Sequence, residues 1–382
     1  MIYSVNRSRV RQRFYEKQNF QYGVVSWGSD NIYPQLQRSY INASPISKRC
    51  VNTFGDFVAG EGFENEEQNG FIVNEFGLTL KGLLDQICES QYNYFKTVTW
   101  HISYNLLGEI SAIKTIPVTY CRLGDPSDEN TKGKVAVWNN WAGEDYKFSW
   151  KGELFHEFNP DPSVVAAQIE EVGGYENYKG QVLFENFSNA RYVESFLDES
   201  TEDMAADADI AVYRNSNLRN GFSGSGFMKY NGKVESEGER AQIIEMIGSQ
   251  QGAENAGNVI VIFPTEGEIE SEVPLSFTPT SLPNVDNLYT NQEKSIRENI
   301  AGAANIPKAL LSQFFGDSSI FNQDQLINSW NYYNVQTRRD RMKIEYLFNE
   351  KIRPYFREDF GDVKIKEQKI ANQDGNTINT TE

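Results

Sequence analysis

The chain is poor in the residues on which most catalysis depends. Among 382 residues there are two histidines, His101 and His156, and three cysteines, Cys50, Cys88 and Cys121. The cysteines lie far apart and none forms a CxxC pair. They read as buried thiols in a reducing compartment, not as a disulfide framework or a zinc site. The sequence also lacks a GxxxxGK(S/T) phosphate loop, an HExxH and a GxSxG. His101 falls on the polar side of an alternating stretch and His156 in strand-like sequence, so both read as strand histidines, not as bases. Carboxylate pairs are so abundant that no single pair carries information. No catalytic residue, metal or cofactor is expected, and the chain is not expected to be an enzyme.

Long apolar runs are missing too. Met1–Gln21 is polar, carries Arg7, Arg9, Arg11 and Arg13, and has no segment resembling a signal peptide. No later run approaches the roughly 20 residues of a membrane span. The expectation is a protein made and used in a cytoplasm, with no membrane partner. Positive charge is short, with 36 Lys and Arg against 53 Asp and Glu, a net charge of −17. Static nucleic-acid binding uses basic patches, so this balance argues against it, although DNA as a passing cargo stays compatible.

Aromatics are plentiful: 24 Phe, 20 Tyr and 6 Trp. They offset an apolar share of 39%, below the usual ~45–50%. Aromatics with acids could also suggest a glycan-active hydrolase using two carboxylates, but core packing explains the aromatics equally well.

Periodicity gives an α+β chain. Ser44 and Pro45 open a helix through Ile46, Cys50, Phe54 and Phe57 that Gly60 and Gly62 stop. A second helix follows Thr79, with Leu80, Leu83, Leu84, Ile87, Cys88 and Phe95 on one face. Val98, Trp100, Ile102 and Tyr104 then alternate with polar residues, and Ile110–Tyr120 gives the return strand of a hairpin. Further strands are expected at Val135–Trp138, Tyr146–Trp150, Leu154–Phe158 and Gln181–Phe187. Ser200 and Asp203 have capping-box spacing before an Ala-rich helix that ends at Gly221. A compact insert follows, with a second box at Ser236 and Glu239 and a short apolar strand at Val259–Phe263. Another helix, Asp286–Ala304, stops before Pro307. The polar loop Lys308–Asn322 precedes a last helix from about Gln323 to Arg353, and a polar tail without periodicity reads as disordered.

Several segments in this order resemble the tailed-bacteriophage portal proteins, the ring subunits of the head-tail connector. They are Trp27-Gly28-Ser29-Asp30-Asn31-Ile32-Tyr33-Pro34, Ser44-Pro45, Gly60-Glu61-Gly62-Phe63 and Leu218-Arg219-Asn220-Gly221-Phe222. Ile296-Arg297-Glu298-Asn299-Ile300 with Asn305-Ile306-Pro307-Lys308-Ala309-Leu310-Leu311 completes the set. The similarity covers about residues 22–358. The chain is short for that family, and little follows Phe356 to build a large crown.

The resemblance implies a portal fold with a mixed wing domain, a two-helix stem, a small α/β clip and a long C-terminal helix. Residues 1–21 would be an N-terminal arm, 22–200 the wing, 201–219 and 284–304 the stem, and 220–283 the clip. Residues 305–322 would form a tunnel loop, 323–358 the long wing or crown helix, and 359–382 a disordered tail. It implies a dodecamer at one capsid vertex of a virion, assembled in the host cytoplasm. Double-stranded DNA would be packaged through it by the terminase large subunit and later ejected. Head-tail adaptor proteins and the major capsid and scaffold proteins would be further partners.

Within that frame Lys308 either touches phosphate transiently or is a solvated lysine, while Gln313, Ser318, Ser319 and Asn322 give a polar lining. Glu266, Glu268, Glu270 and Glu272 alternate, so a strand there puts all four on one face. That face is either an acidic collar in a ring carrying about −200 or a solvated edge strand protected by its charge. Arg338, Arg339 and Arg341 are expected to pair with carboxylates of a neighbouring subunit rather than with DNA. The main alternative is another virion ring, head-completion or tail protein.

Overall fold

A computed structural model describes residues 23–141, 151–220, 226–230, 238, 259–262, 275–279, 285–315 and 323–370. The chain divides into two units, Met1–Thr201 with Ile300–Glu382, and Glu202–Asn299. The expected arm 1–21, the strand Tyr146–Trp150 and the capping box of Ser236 and Glu239 lie outside the described residues.

The first unit opens with two helices, α1 (Tyr33–Ala43) and α2 (Pro45–Ala59). Ser44 ends the first by donating its N–H to Tyr40 O, and its hydroxyl caps the second by accepting from Ser47 N. Pro45 takes the first helical position, where a missing N–H costs nothing. Ten residues of α2 are buried, among them Ile46, Cys50, Phe54 and Phe57. Gly60 closes α2 at φ 60°, and a Cβ there would stand 2.1 Å from Lys366 O. Only glycine lets the chain around Lys366 pass so closely.

Helix α3 (Leu80–Ser90) is capped by Thr79 and does not continue smoothly to Phe95. Gln91 interrupts it, because its side chain bonds the backbone of Thr99 and Ile116. Phe95 stays buried in a separate helical turn, Tyr92–Phe95, ended by Lys96 at positive φ.

A six-stranded mixed sheet belongs to the same unit, in the order β2-β1-β6-β5-β4-β3. The strands are β1 (Val98–Tyr104), β2 (Ile110–Thr115), β3 (Cys121–Leu123), β4 (Lys134–Val137), β5 (Glu153–Glu157) and β6 (Gln181–Glu185). The return strand β2 stops at Thr115, before Pro117 and the turn Val118–Tyr120. Trp100 pairs with Thr115 on one side and Leu183 on the other. Trp100, Ile102 and Tyr104 are buried on one face of β1, while His101 and Ser103 are half-buried on the other. The alternation fails at Thr97 and Thr99, which are also buried. Among the described strands of this sheet only β5 and β6 pair in parallel. That pairing requires a crossover, supplied by α4 (Pro162–Glu171). Asp161 caps that helix and Pro162 starts it.

The second unit contains most of α5 (Thr201–Asn220) and α6 (Val285–Ala303), with a three-stranded sheet ordered β8-β7-β9. Its strands are β7 (Gly226–Tyr230), β8 (Val259–Ile262) and β9 (Leu275–Pro279). β7 is parallel to β8 and antiparallel to β9. Just before α5, Ser200 donates its hydroxyl to Leu197 O within a 3-10 turn.

The first unit resumes at Ile300 and includes the last helix. This helix, α7, is α-helical over Gln323–Tyr346, winds as a π-helix over Leu347–Ile352 and closes with the 3-10 turn Arg353–Tyr355. The tail beyond it is not disordered as far as residue 370. Val363 and Ile365 are buried, and residues 364–366 run antiparallel to 61–64 through three backbone hydrogen bonds. Two ion pairs, Lys364 with Glu64 and Lys366 with Glu61, flank them. The apolar signal there is only Val363 and Ile365 alternating with two lysines, too short a run to mark a strand. Residues 371–382 lie outside the described residues.

Candidate functional site

Where α6 ends, the geometry follows from three residues. Asn305 N donates to Gly302 O and Ile306 N to Ala301 O, with Asn305 at φ 54°. These two bonds with a left-handed residue make a Schellman motif, and Asn tolerates that conformation better than most side chains. Ile306 is buried and Pro307 prevents the helix from resuming.

The segment after Pro307 is not an open loop at its start. Lys308–Leu311 forms a 3-10 turn anchored by buried Leu311, and Ser312–Phe315 adds one α-turn. The cause is plain: Leu310 and Leu311 give the turn an apolar side to bury. Lys308 places its ammonium 5.8 Å from the centre of the Phe315 ring. Gln313 lies in the α-turn, with its side chain outside the described residues. Ser318, Ser319 and Asn322 fall outside them, as do Glu266, Glu268, Glu270 and Glu272. A concavity of about 400 Å³ is bounded by Gly302, Asn305 and Pro307 on one side and Asn328, Ser329 and Tyr332 on the other.

The three arginines of α7 separate. Arg341 is buried and donates to Phe57 O, Asn334 O, Thr337 Oγ1 and Glu367 Oε1, at 2.7–2.9 Å. It is spent inside its own chain, which corrects its assignment to a subunit contact. Sequence could not show this, because Phe57 and Glu367 reach it only through the fold. Arg338 and Arg339 are exposed. Arg338 lines a second concavity of about 650 Å³ with Met342, Glu345, Lys364 and Lys366.

Sequence reasoning missed a second stripe on α7. Tyr332, Val335, Met342 and Tyr346 are exposed and follow, with Arg339, a 3-4-3-4 spacing. That spacing is the signal that would have revealed it.

In the second unit α5 and α6 lie antiparallel, as their polar pairs require. Asn299 donates to Asp203 at 3.4 Å, Arg297 stands 3.8 Å from Asp207, and Arg214 pairs with Glu293. Arg297 also pairs with Glu293 on its own helix.

The three thiols are held in a weakly reactive state. All three thiols are buried and free, and desolvation pushes Cys50 and Cys121 up to about 12 and raises Cys88 as well. Thiols so protonated are poor nucleophiles and poor metal ligands. Among the described residues no group of three or more His, Cys, Asp or Glu could hold a metal ion. His101 Nε2 donates to Lys179 O at 2.6 Å, and burial lowers the His156 pKa. No described helix is long and apolar enough to cross a membrane.

No family model matches the chain, and no curated protein does. Solved structures do. A chain in the virion of a native gene transfer agent (GTA) particle aligns at TM-score 0.51 and 12% identity, covering 87% of this chain and 82% of that one. A chain in the neck of the native GTA particle, computed with C12 symmetry, aligns at TM-score 0.50 and 12% identity over 88% and 84%. An HK97 family phage portal protein from Corynebacterium diphtheriae is more distant, at TM-score 0.45 and 13% identity over 87% and 95%. From the two GTA matches, the chain has the fold of a protein found in a particle neck.

Proposed function

We propose that this chain is the subunit of a phage-type portal ring at one capsid vertex, through which double-stranded DNA is packaged and later ejected. The observation that carries the reading is the fold shared, over 88% of the chain, with a chain from a particle neck computed with C12 symmetry. The order of elements supports it independently. Two antiparallel helices flank a small sheet, and the second ends in a Schellman motif before a proline-started turn. The segment resemblances run in the same order along the chain.

In this reading the protein acts mechanically and not as an enzyme. Helices α5 and α6 form the stem, the small sheet belongs to the clip, and residues 305–322 face the DNA. A net charge of −17 per copy makes the ring strongly acidic, so the phosphate backbone is repelled from the wall instead of held by it. Terminase, head-tail adaptors, and capsid and scaffold proteins are the expected partners.

Negative-stain electron microscopy of the purified protein tests the reading. Class averages should show rings with a central opening that admits duplex DNA. Closed rings without such an opening would favour a head-completion or tail protein, and a compact monomer with a cleft would favour an enzyme.

A further inference from the structure

Positive charge gathers uncancelled at the corner between α1 and α2. Arg38 and Asn42 stand one turn apart on α1, Lys48 lies in the opening turn of α2, and all three meet the buried Tyr94 side chain. The Arg38 guanidinium is 5.5 Å and the Lys48 ammonium 4.9 Å from the centre of the Tyr94 ring. Lys48 also donates to the Tyr94 hydroxyl, which in turn donates to Asn42 Oδ1 at 2.8 Å. The ring holds both cations in place, yet it brings no charge to cancel theirs. Neither is ion-paired with a described residue, and no acidic side chain stands in the first turn of α2. Lys96, 5.5 Å from the centres of the Phe54 and Phe196 rings, is likewise unpaired among the described residues. The segment 194–199 adjoins the corner, with Ser195 Oγ and Phe196 N both donating to Tyr94 O, but its carboxylates do not neutralise it. Asp198 accepts from Tyr33 and Gln37, at 2.6 and 3.1 Å. Burial, with Asp198 and Glu199, raises the Glu194 pKa, whereas a neighbouring cation would lower it. The concavity beside Arg338 differs, because Glu64, Glu345 and Glu367 share it.

We propose that this corner is a contact surface for the neighbouring copy, where Arg38 and Lys48 take carboxylates of that copy's surface. The inference rests on the ring reading and deepens it. Each copy carries −17, so two copies repel unless the joint between them matches opposite charges. Carboxylates outnumber cations 53 to 36, so an approaching copy offers the corner what its own chain does not. Among the described residues nothing occupies the donor fork of Arg38, a shape that holds a carboxylate by two parallel bonds. Both cations are half-buried and already steadied by Tyr94, so binding costs them little freedom. Because the cations come from one copy and the carboxylates from the next, the joint is heterologous, and its repetition closes a ring when the rotation permits.

Sedimentation velocity over a sodium chloride series tests this with a variant carrying Arg38→Gln and Lys48→Gln. At low salt the variant should need about tenfold more protein than the unaltered chain to form rings. At about 1 M salt, where screening acts within roughly 3 Å, the two requirements should converge. Lost packing alone would keep the gap at every salt concentration. An equal requirement at low salt, or a gap that salt leaves unchanged, would overturn the contact. Lys132→Gln, at an exposed lysine elsewhere in the unit, should assemble as the unaltered chain does; a shift as large as the double variant's would also overturn it. Fluorescence anisotropy of a labelled DNA duplex at low salt examines the other occupant. Duplex binding that the double variant loses would assign the corner to phosphate and overturn the contact between copies. Should circular dichroism show the double variant misfolded, Arg38→Gln alone, which keeps the Lys48–Tyr94 bond, replaces it. That variant should need about threefold more protein at low salt; an unchanged requirement would overturn the contact. If the unaltered protein forms no ring at any salt concentration, the ring reading falls and the contact with it. If it forms rings that the variant matches, only the contact fails.

Discussion

Helices α2 and α5 are held in two different ways. Helix α2 has 15 residues, ten of them buried in an aromatic core. Helix α5 has 20, yet among its described side chains only Met204 and Asp207 are buried. Its links to α6 are polar, through Arg214, Asp207 and Asp203. The first unit therefore completes its core within one chain, whereas the α5–α6 pair is left half-covered. In the ring reading, neighbouring stems supply the missing cover.

Substitutions on the two sides of this divide should differ in size. Trp100→Ala should have the largest effect, because its ring is fully buried beside Phe348. Urea unfolding should show a loss of about 3–5 kcal/mol. Arg341→Met should cost about 2–3 kcal/mol by the same measurement, since the carbonyls of Phe57 and Asn334 lose their donor.

The buried thiols give a pH test of the first unit. An unfolded cysteine ionises near about 8.5, while Cys50 and Cys121 stay protonated until about 12. The folded form thus keeps protons that the unfolded chain gives up between about pH 9 and 12. Stability from this source is full below that window and is lost on rising through it. The urea midpoint should fall over the window, and less steeply in a Cys50→Ala, Cys121→Ala variant.

Asn305→Ala should cost about 1–2 kcal/mol in thermal unfolding, because alanine resists positive φ, whereas Asn305→Gly should cost nothing measurable. Among these alanine substitutions the smallest loss is expected at Arg214→Ala, in the half-covered pair. Its side chain is half exposed, and pairs of that kind contribute less than about 1 kcal/mol. A large loss at Arg214 in a monomeric preparation would mean that α5 and α6 stabilise each other without neighbours.

Local signals made much of the fold legible. Ser44 with Pro45 located α2, alternation located the β1–β2 hairpin, and Pro307 located the end of α6. Helix α4 was concealed because it buries only Val165, although Asp161-Pro162 is a sound helix start. The ordered segment before residue 370 was concealed because backbone bonds to residues 61–64 hold it. Arg341 shows the limit for single side chains. Nothing in its neighbourhood along the chain announces that Phe57 and Glu367 will surround it.

Native mass spectrometry across a concentration series asks the decisive question, whether this chain is made to stand in a ring. A ring subunit should give one dominant closed assembly whose mass is a high multiple of 43.6 kDa. A chain that stays at 43.6 kDa at every concentration would contradict that.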